Sequence, residues 1–359
     1  MAKKRKISFL GILFRIALAI SAIALVFSYF SIFINPAKLW FPSLFGLYYI
    51  PIVIVNVLLL SLAVVRWSAS AWLPIIVLVP SFFFLRHFVN HNEGPHTSHP
   101  ESLKVITYNV GQYASSDLDI SKREIQSQIS TFIRKESPDI VCFQEFFTSN
   151  PTNLDGFLPE YPHKQFHLFK VNSGYYFGNM TVSKFPILSE GKITFKGSTN
   201  LSIYADITTK DDTIRIYNSH LESYSVSPTA IIKQLRSGSN TLSEELKELH
   251  GKMRTSNIRR ATQVDSVLRH IQKSKYHSII CGDFNDTPMS YTYQQLRKVS
   301  KDTFIEAGSG FSSTYSFLWP LLRIDYILVP EEYEVTRHST PRNNFSDHYP
   351  VITEIHKTI

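Results

Sequence analysis

Ser346-Asp347-His348-Tyr349-Pro350-Val351, a few residues before the chain ends, is the stretch whose reading decides the fold. An acidic residue and a histidine stand at the mouth of a short apolar run, 351–355, that reads as a strand. Upstream lie Thr107-Tyr108-Asn109-Val110, Phe143-Gln144-Glu145, Asn218-Ser219-His220-Leu221 and Gly282-Asp283-Phe284-Asn285-Asp286. Each polar group comes at or just after a short apolar, β-branched run, which puts each at a strand end. Several strand ends that deliver Asn, Glu, His, Asp and Asp-His to one rim are how a metal-assisted hydrolytic site is built.

The chain has 359 residues, and its apolar content is uneven. Arg15 and Lys38 bracket 22 residues without a formal charge, Lys38 and Arg66 bracket 27, and Arg66 and Arg86 bracket 19. A bilayer core needs about 20 apolar residues as helix. Three spans are expected, at 12–33, 45–65 and 69–88, the third interrupted by Pro74 and Pro80. The competing reading of the first span, a cleaved signal peptide, asks for a shorter apolar core and a small-residue cleavage site, and neither is clear here. Lys3, Lys4, Arg5 and Lys6 should hold the head on the cytoplasmic side. Three crossings then make a multi-pass protein of a bacterial inner membrane, with an extracytoplasmic C-terminal domain. A merely interfacial third segment would leave that domain cytoplasmic.

The net charge of +8 belongs mostly to this region: residues 1–100 carry +7 and the rest +1. A near-neutral remainder is weak support for nucleic-acid binding, which usually shows a basic surface. The two cysteines, Cys142 and Cys281, sit inside apolar runs and read as buried thiols. A polar linker at 91–101 carries three histidines, spaced poorly for a metal site. Beyond it strands are expected at 103–108, 140–143, 176–182, 203–208, 213–218, 278–281, 324–329 and 351–355. Helices are expected at 121–135, with Ser121 as N-cap and Glu124 completing a capping box, at 242–250 and at 256–273. The stretch between His220 and Ser256 reads as a polar excursion beside the site mouth.

Together these motifs resemble the endonuclease/exonuclease/phosphatase superfamily over about residues 102–359. The pieces come in the family's order: Asn109, Gln144-Glu145, Ser219-His220-Leu221, Gly282-Asp283-Phe284-Asn285, Arg323-Ile324-Asp325-Tyr326-Ile327 and Ser346-Asp347-His348. The resemblance implies an α/β protein, a four-layer α/β/β/α sandwich of two mixed, mostly antiparallel sheets, here preceded by a helical transmembrane region at 1–90. It also implies metal-dependent hydrolysis of a phosphate ester.

Glu145 is then the leading ligand for Mg2+ or Mn2+, which favour oxygen donors, with Asn109 and Asp347 beside it. His348 would contact the scissile phosphate, with Asp325 fixing its tautomer. His220 would donate to a non-bridging oxygen. Asp283 would orient or deprotonate the attacking water, with Asn285 holding that water or a phosphate oxygen. Whether Asp283 or His348 is the base stays open. Glu222, Arg259 and Tyr315 are secondary candidates. Some family nucleases carry an acidic residue where this chain has Gly111, so a second metal site is in doubt. The substrate is expected to be a nucleic acid, a phospholipid head group or a soluble sugar phosphate, with the lipid bilayer as a further partner. The rival is a catalytically silent module that binds a phosphate ligand or a protein in a membrane assembly.

Overall fold

The computed structural model describes residues 8–66, 68–92, 101–114, 120–171, 174–210, 212–224 and 242–358. The basic head, most of the linker with His96 and His99, and the middle of the excursion after His220 lie outside these residues, while His91 ends the first strand.

Apolar sequence first builds a small helical bundle. Helix α1 (Phe9–Phe30) is capped by Ser8, whose hydroxyl accepts from the Gly11 amide. The segment expected at 45–65 is two helices, α2 (Phe41–Leu47) and α3 (Tyr49–Val65), bent by 71°. Pro51 explains the break: it has no N–H for the Leu47 carbonyl, and its ring crowds that carbonyl. The third segment is likewise divided, with α4 (Trp72–Leu78) and α5 (Ser81–Phe84) separated at Pro80. Two helical stretches are long and apolar enough to cross a membrane, Phe9–Phe30 and Ala69–His87, and three if the bent pair is one span. Their large side chains point outward; Phe9 is 73% exposed, Phe82 73% and Val65 76%. A soluble core would bury such residues.

The bundle is joined to the rest by backbone. Strand β1 (Val89–His91) pairs with β11 (Ser309–Phe311), Val89 opposite Phe311. The Ser31 hydroxyl donates to the Met289 carbonyl at 2.5 Å, and the Thr287 hydroxyl to the Gly46 carbonyl at 3.2 Å. Gly46 has to be glycine, because a Cβ there would lie 2.3 Å from the Met289 oxygen.

Two six-stranded sheets follow. One runs β13 (Tyr333–Ser339), β14 (Val351–Lys357), β2 (Leu103–Asn109), β3 (Ile140–Thr148), β5 (Tyr176–Ser183), β4 (His163–Lys170). The other runs β10 (Lys301–Asp302), β12 (Asp325–Val329), β9 (His277–Asp283), β8 (Thr213–His220), β7 (Leu201–Thr208), β6 (Ile187–Thr194). Each sheet has one parallel pair, β2–β3 and β8–β9, and is otherwise antiparallel. A parallel pair needs a crossover, and a helix supplies it in both cases. Helix α6 (Lys122–Glu136) links β2 to β3, and α7 (Leu242–Ile271) precedes β9.

The sheets pack face to face through Val105, Cys142, Ile216, Ile279, Cys281 and Ile327. Helix α6 covers one outer face with Ile125, Ile129 and Ile133. Helix α7 covers the other with Val264 and Val267. This is the four-layer sandwich expected from the sequence. Cys142 and Cys281 are free and buried between its sheets.

Candidate active site

Strand direction gathers the polar motifs. Parallel pairing sets the C-terminal ends of β2 and β3 side by side, with Asn109 opposite Gln144, and likewise β8 and β9, with His220 opposite Asp283. Strand β12 runs antiparallel to β9, so its first residue, Asp325, faces Asp283. Strand β14 runs antiparallel to β2, which returns the preceding Ser346-Asp347-His348 turn to the same rim.

Asp283 is the hub and is 1% exposed. Its Oδ2 accepts from Asn109 Nδ2 at 3.0 Å, and its Oδ1 from the Asn285 amide at 2.8 Å. The Nε2 atoms of His220 and His348 each lie 3.8 Å from Asp283 Oδ2. His220 Nε2 is also 3.8 Å from Glu145 Oε1, and it is buried without a hydrogen-bond partner. His348 Nδ1 lies 2.9 Å from Asp325 Oδ2, while Asp325 Oδ1 is buried and unpartnered. A native interior rarely leaves such atoms unsatisfied, so an orphan pair at one rim points to a ligand.

Burial and the neighbouring Asp325 charge push the Asp283 carboxyl up to about 6, against the pull of His348 and His220. Burial disfavours the charged form of His348, but Asp325 and Asp283 outweigh it and hold the imidazole well above its ordinary value.

Backbone geometry serves the same rim. The register of β3 slips between Phe143 and Phe146, and Glu145 within that bulge has φ +52°. A glutamate in left-handed backbone costs on the order of 1 kcal/mol or more, and such strain clusters where a side chain must be aimed. Gly282 has φ +139°, and a Cβ there would sit 1.8 Å from the Ser219 carbonyl oxygen. Only glycine lets β8 and β9 approach closely enough to bring His220 beside Asp283.

All eight residues singled out in the sequence stand at this rim, with different engagements. Asn109 turns its NH2 toward Asp283 and Glu145 (3.4 Å), while its oxygen accepts from the Gly111 amide. Asn285 spends its NH2 on the Leu221 carbonyl at 3.0 Å. Asp347 is exposed, with Oδ1 accepting from the Ser346 hydroxyl at 3.3 Å. Gln144 does not face the rim. It is buried between the sheets, donating to Asn218 Oδ1 and Thr107 Oγ1. Glu222 is held by Arg259, Ser198 and Gln263, which ties the strand after His220 to α7.

Two contributors carry no motif signal, and a third, Ser346, comes from the Ser346-Asp347-His348 motif itself. Gln112 donates to Glu145 Oε2 at 3.3 Å, from the turn where an acidic residue was sought at Gly111. Thr314 Oγ1 accepts from the Ile324 and Asp325 amides. The Ser346 hydroxyl donates to the Asn109 carbonyl. Tyr315, flagged only by proximity, sets its ring edge-on to His348 at 5.2 Å. Burial and the charges of Asp347, Asp283 and Glu145 push its hydroxyl up to about 12.

Comparisons with known proteins agree with this fold. The profile described as Endonuclease/Exonuclease/phosphatase family matches residues 106–348, and one described as a domain of unknown function matches 8–88. No curated protein matches the chain. Among solved structures, an endonuclease/exonuclease/phosphatase from Bacteroides vulgatus is 17% identical, covering 71% of this chain and 99% of its own, with TM-score 0.53. One from Beutenbergia cavernae is 20% identical, covering 72% of each chain, with TM-score 0.51. The human Nocturnin catalytic domain is 16% identical, covering 73% of this chain and 97% of its own, with TM-score 0.51. The chain belongs to the endonuclease/exonuclease/phosphatase family.

Proposed function

We propose that this chain hydrolyses the head-group phosphodiester of membrane phospholipids, using Mg2+ or Mn2+, from an anchor formed by its first 90 residues. Members of the family are generally hydrolases of phosphoester bonds and generally use divalent metals. One observation carries the catalytic part: two histidines and a buried aspartate meet within 3.8 Å, and one imidazole nitrogen is left without a partner.

The residues present fit a hard cation. Among the described residues, one His/Asp group has ligand atoms mutually within 4.8 Å: Asp283, Asp325 and His348. His348 is a poor ligand there, because a hard cation prefers oxygen donors and the imidazole, held charged by Asp325 and Asp283, would first have to lose its proton. Glu145 suits the ion better, as a half-buried carboxylate aimed by its bulge, with Asp347 the next carboxylate at the rim. Asn109 would join as a ligand by exchanging its Gly111 contact; as placed, it steers Glu145 and Asp283. A bound divalent ion would supply Lewis-acid polarisation of the phosphate.

The protein's own groups divide the remaining work. His348, kept charged by Asp325, donates to a non-bridging oxygen and stabilises the charge that grows there. His220 presents its free Nε2 to the same group. Asp283, held on both oxygens by Asn109 and Asn285, takes the proton of the water that attacks phosphorus. The bond to the oxygen in line with that water breaks, and the alkoxide leaves as the alcohol with a proton from solvent. A carboxyl at about 6 is a stronger base than an ordinary carboxylate and is still ionised at neutral pH.

The lipid choice rests on the rim's surroundings. Tyr315 bridges to His348, and the chain beyond it exposes Phe317, Leu318, Trp319 and Leu321. Trp319 packs on Phe311, which pairs with Val89 just past the last apolar span. An apolar collar running from span to catalytic histidine suits a substrate embedded in a bilayer. The basic head argues that the cleft is extracytoplasmic, and a reporter fused after residue 95 would check it.

The test is a substrate panel on the full chain in vesicles. Mg2+ or Mn2+ should release head groups and EDTA should stop release. Plasmid nicking with steep salt dependence and no head-group release would make the chain a nuclease. Turnover of neither would make it a silent binding module.

A further inference from the structure

A second site stands where the last apolar span meets the sandwich, away from the catalytic rim. An open cavity of ≈ 490 Å³ is lined by Phe82, Phe83, Phe84, Arg86, His87, Gln294 and Arg297. The first five close the span, and the last two sit one turn apart on α8 (Tyr291–Arg297). None of these lining residues is a carboxylate. Arg297 Nε is buried without a hydrogen-bond partner, and so are both ring nitrogens of His87, a residue 5% exposed. A buried polar atom left unmet costs about 1–3 kcal/mol. Arg297 Nε and whichever ring nitrogen of His87 carries the proton are donors, so an acceptor is missing from the cavity.

Chemistry and position define that acceptor. Two guanidinium groups are always charged, and their planar forks match phosphate oxygens. Phe82 and Phe83, 73% and 71% exposed, form an apolar flank on the bilayer side. Arg86 is the first charge after 19 uncharged residues, which puts the cationic end at head-group level. An inorganic anion has no use for the aromatic wall, and a zwitterionic lipid brings its own cation up against the two arginines.

We propose that this cavity holds the phosphate of an anionic phospholipid, with acyl chains along Phe82 and Phe83. The proposal rests on the membrane reading of residues 69–87 but not on the catalytic one. The bound lipid would act as a fitting between anchor and enzyme: His87 lies edge-on to Tyr293 at 5.9 Å, and Tyr293 donates to Asp302 in the sandwich.

Native mass spectrometry of the full chain, released from detergent in EDTA so that no turnover intervenes, reads the site directly. Phosphatidylglycerol should bind about 25-fold more tightly than phosphatidylcholine of the same chains, at about fivefold per arginine. Arg86→Gln and Arg297→Gln should each remove about fivefold, and the pair should bring the two lipids to parity. Arg66→Gln, outside the cavity, should change nothing. Should the double variant not fold, Gln294→Glu sets a carboxylate one turn from Arg297 and must also cut the preference. Equal binding of the two lipids by the wild type would overturn the proposal, as would a preference that survives these cavity changes. An equal loss in Arg66→Gln would reduce the effect to general surface charge and overturn the site. Displacement by glycerol 3-phosphate at matched concentration would give the cavity to a soluble anion and overturn the lipid assignment.

Discussion

Asp283 and Asp302 lie in one sheet, are 1% and 0% exposed, and are held in opposite states. Asp302 receives Arg323 through both guanidinium nitrogens at 2.8 and 2.6 Å, the Tyr293 hydroxyl at 2.6 Å and the Phe304 amide at 3.0 Å. Burial works against its charge, but Arg323 prevails and holds it down at about 2. Asp283 has two donors, a neighbouring carboxylate and no arginine, and its carboxyl rises to about 6. Burial is common to both, so the partners decide. A closed pair makes structure, whereas a hub left short of donors keeps affinity in reserve for something that arrives.

The largest expected effect breaks the open member. His348→Ala should lower turnover by about three orders of magnitude in a head-group release assay. Retained activity would remove His348 from the chemistry. Next comes the closed member: Arg323→Ala leaves Asp302 buried without its counter-charge, and should cost about 3–5 kcal/mol in urea unfolding.

The two carboxylates should also answer pH with opposite signs in metal-free protein. An unfolded aspartate titrates near 4. Asp302, depressed to about 2, adds stability that is complete above about 4 and is lost as pH falls toward 2. Asp283, raised to about 6, costs stability above that value, and the cost is relieved as pH falls from 6 toward 4. Asp283→Asn should therefore stabilise the protein at pH 7.5, by on the order of 1–3 kcal/mol, while abolishing turnover. No gain in the unfolding curve would show that the hub is not strained. The smallest effect lies far from both. Ser121→Ala removes the cap whose hydroxyl accepts from the Glu124 amide, and should cost about 1 kcal/mol and leave activity untouched.

The site was legible because most of its residues stand at one end of a strand with a short apolar run, as in Ile140-Val141-Cys142-Phe143 before Glu145. In the two six-stranded sheets the strands that escaped, β4, β6, β10 and β13, are the four edges; the short pair β1 and β11 escaped as well. An edge strand is half-solvated and carries no such run; Ile187–Thr194 includes Ser189, Glu190, Gly191 and Lys192 and is largely exposed. Two expected helices proved to be one, Leu242–Ile271, because a single glycine, Gly251, costs only about 1 kcal/mol. The Glu248–Lys252 pair spans it at 2.8 Å. Contacts of high sequence separation, such as Ser31 with Met289 or Val89 with Phe311, leave no local pattern to read.

If the first 90 residues anchor the chain as proposed, the backbone seam between Val89–His91 and Ser309–Phe311 would hold the catalytic head against the bilayer. A slack tether lets a catalytic head sample a hemisphere of solution. A head stitched to its anchor would keep one altitude and one tilt, so the bilayer would serve as a ruler. Groups that protrude to the right height would be cut, and those seated deeper or farther out would go unmet.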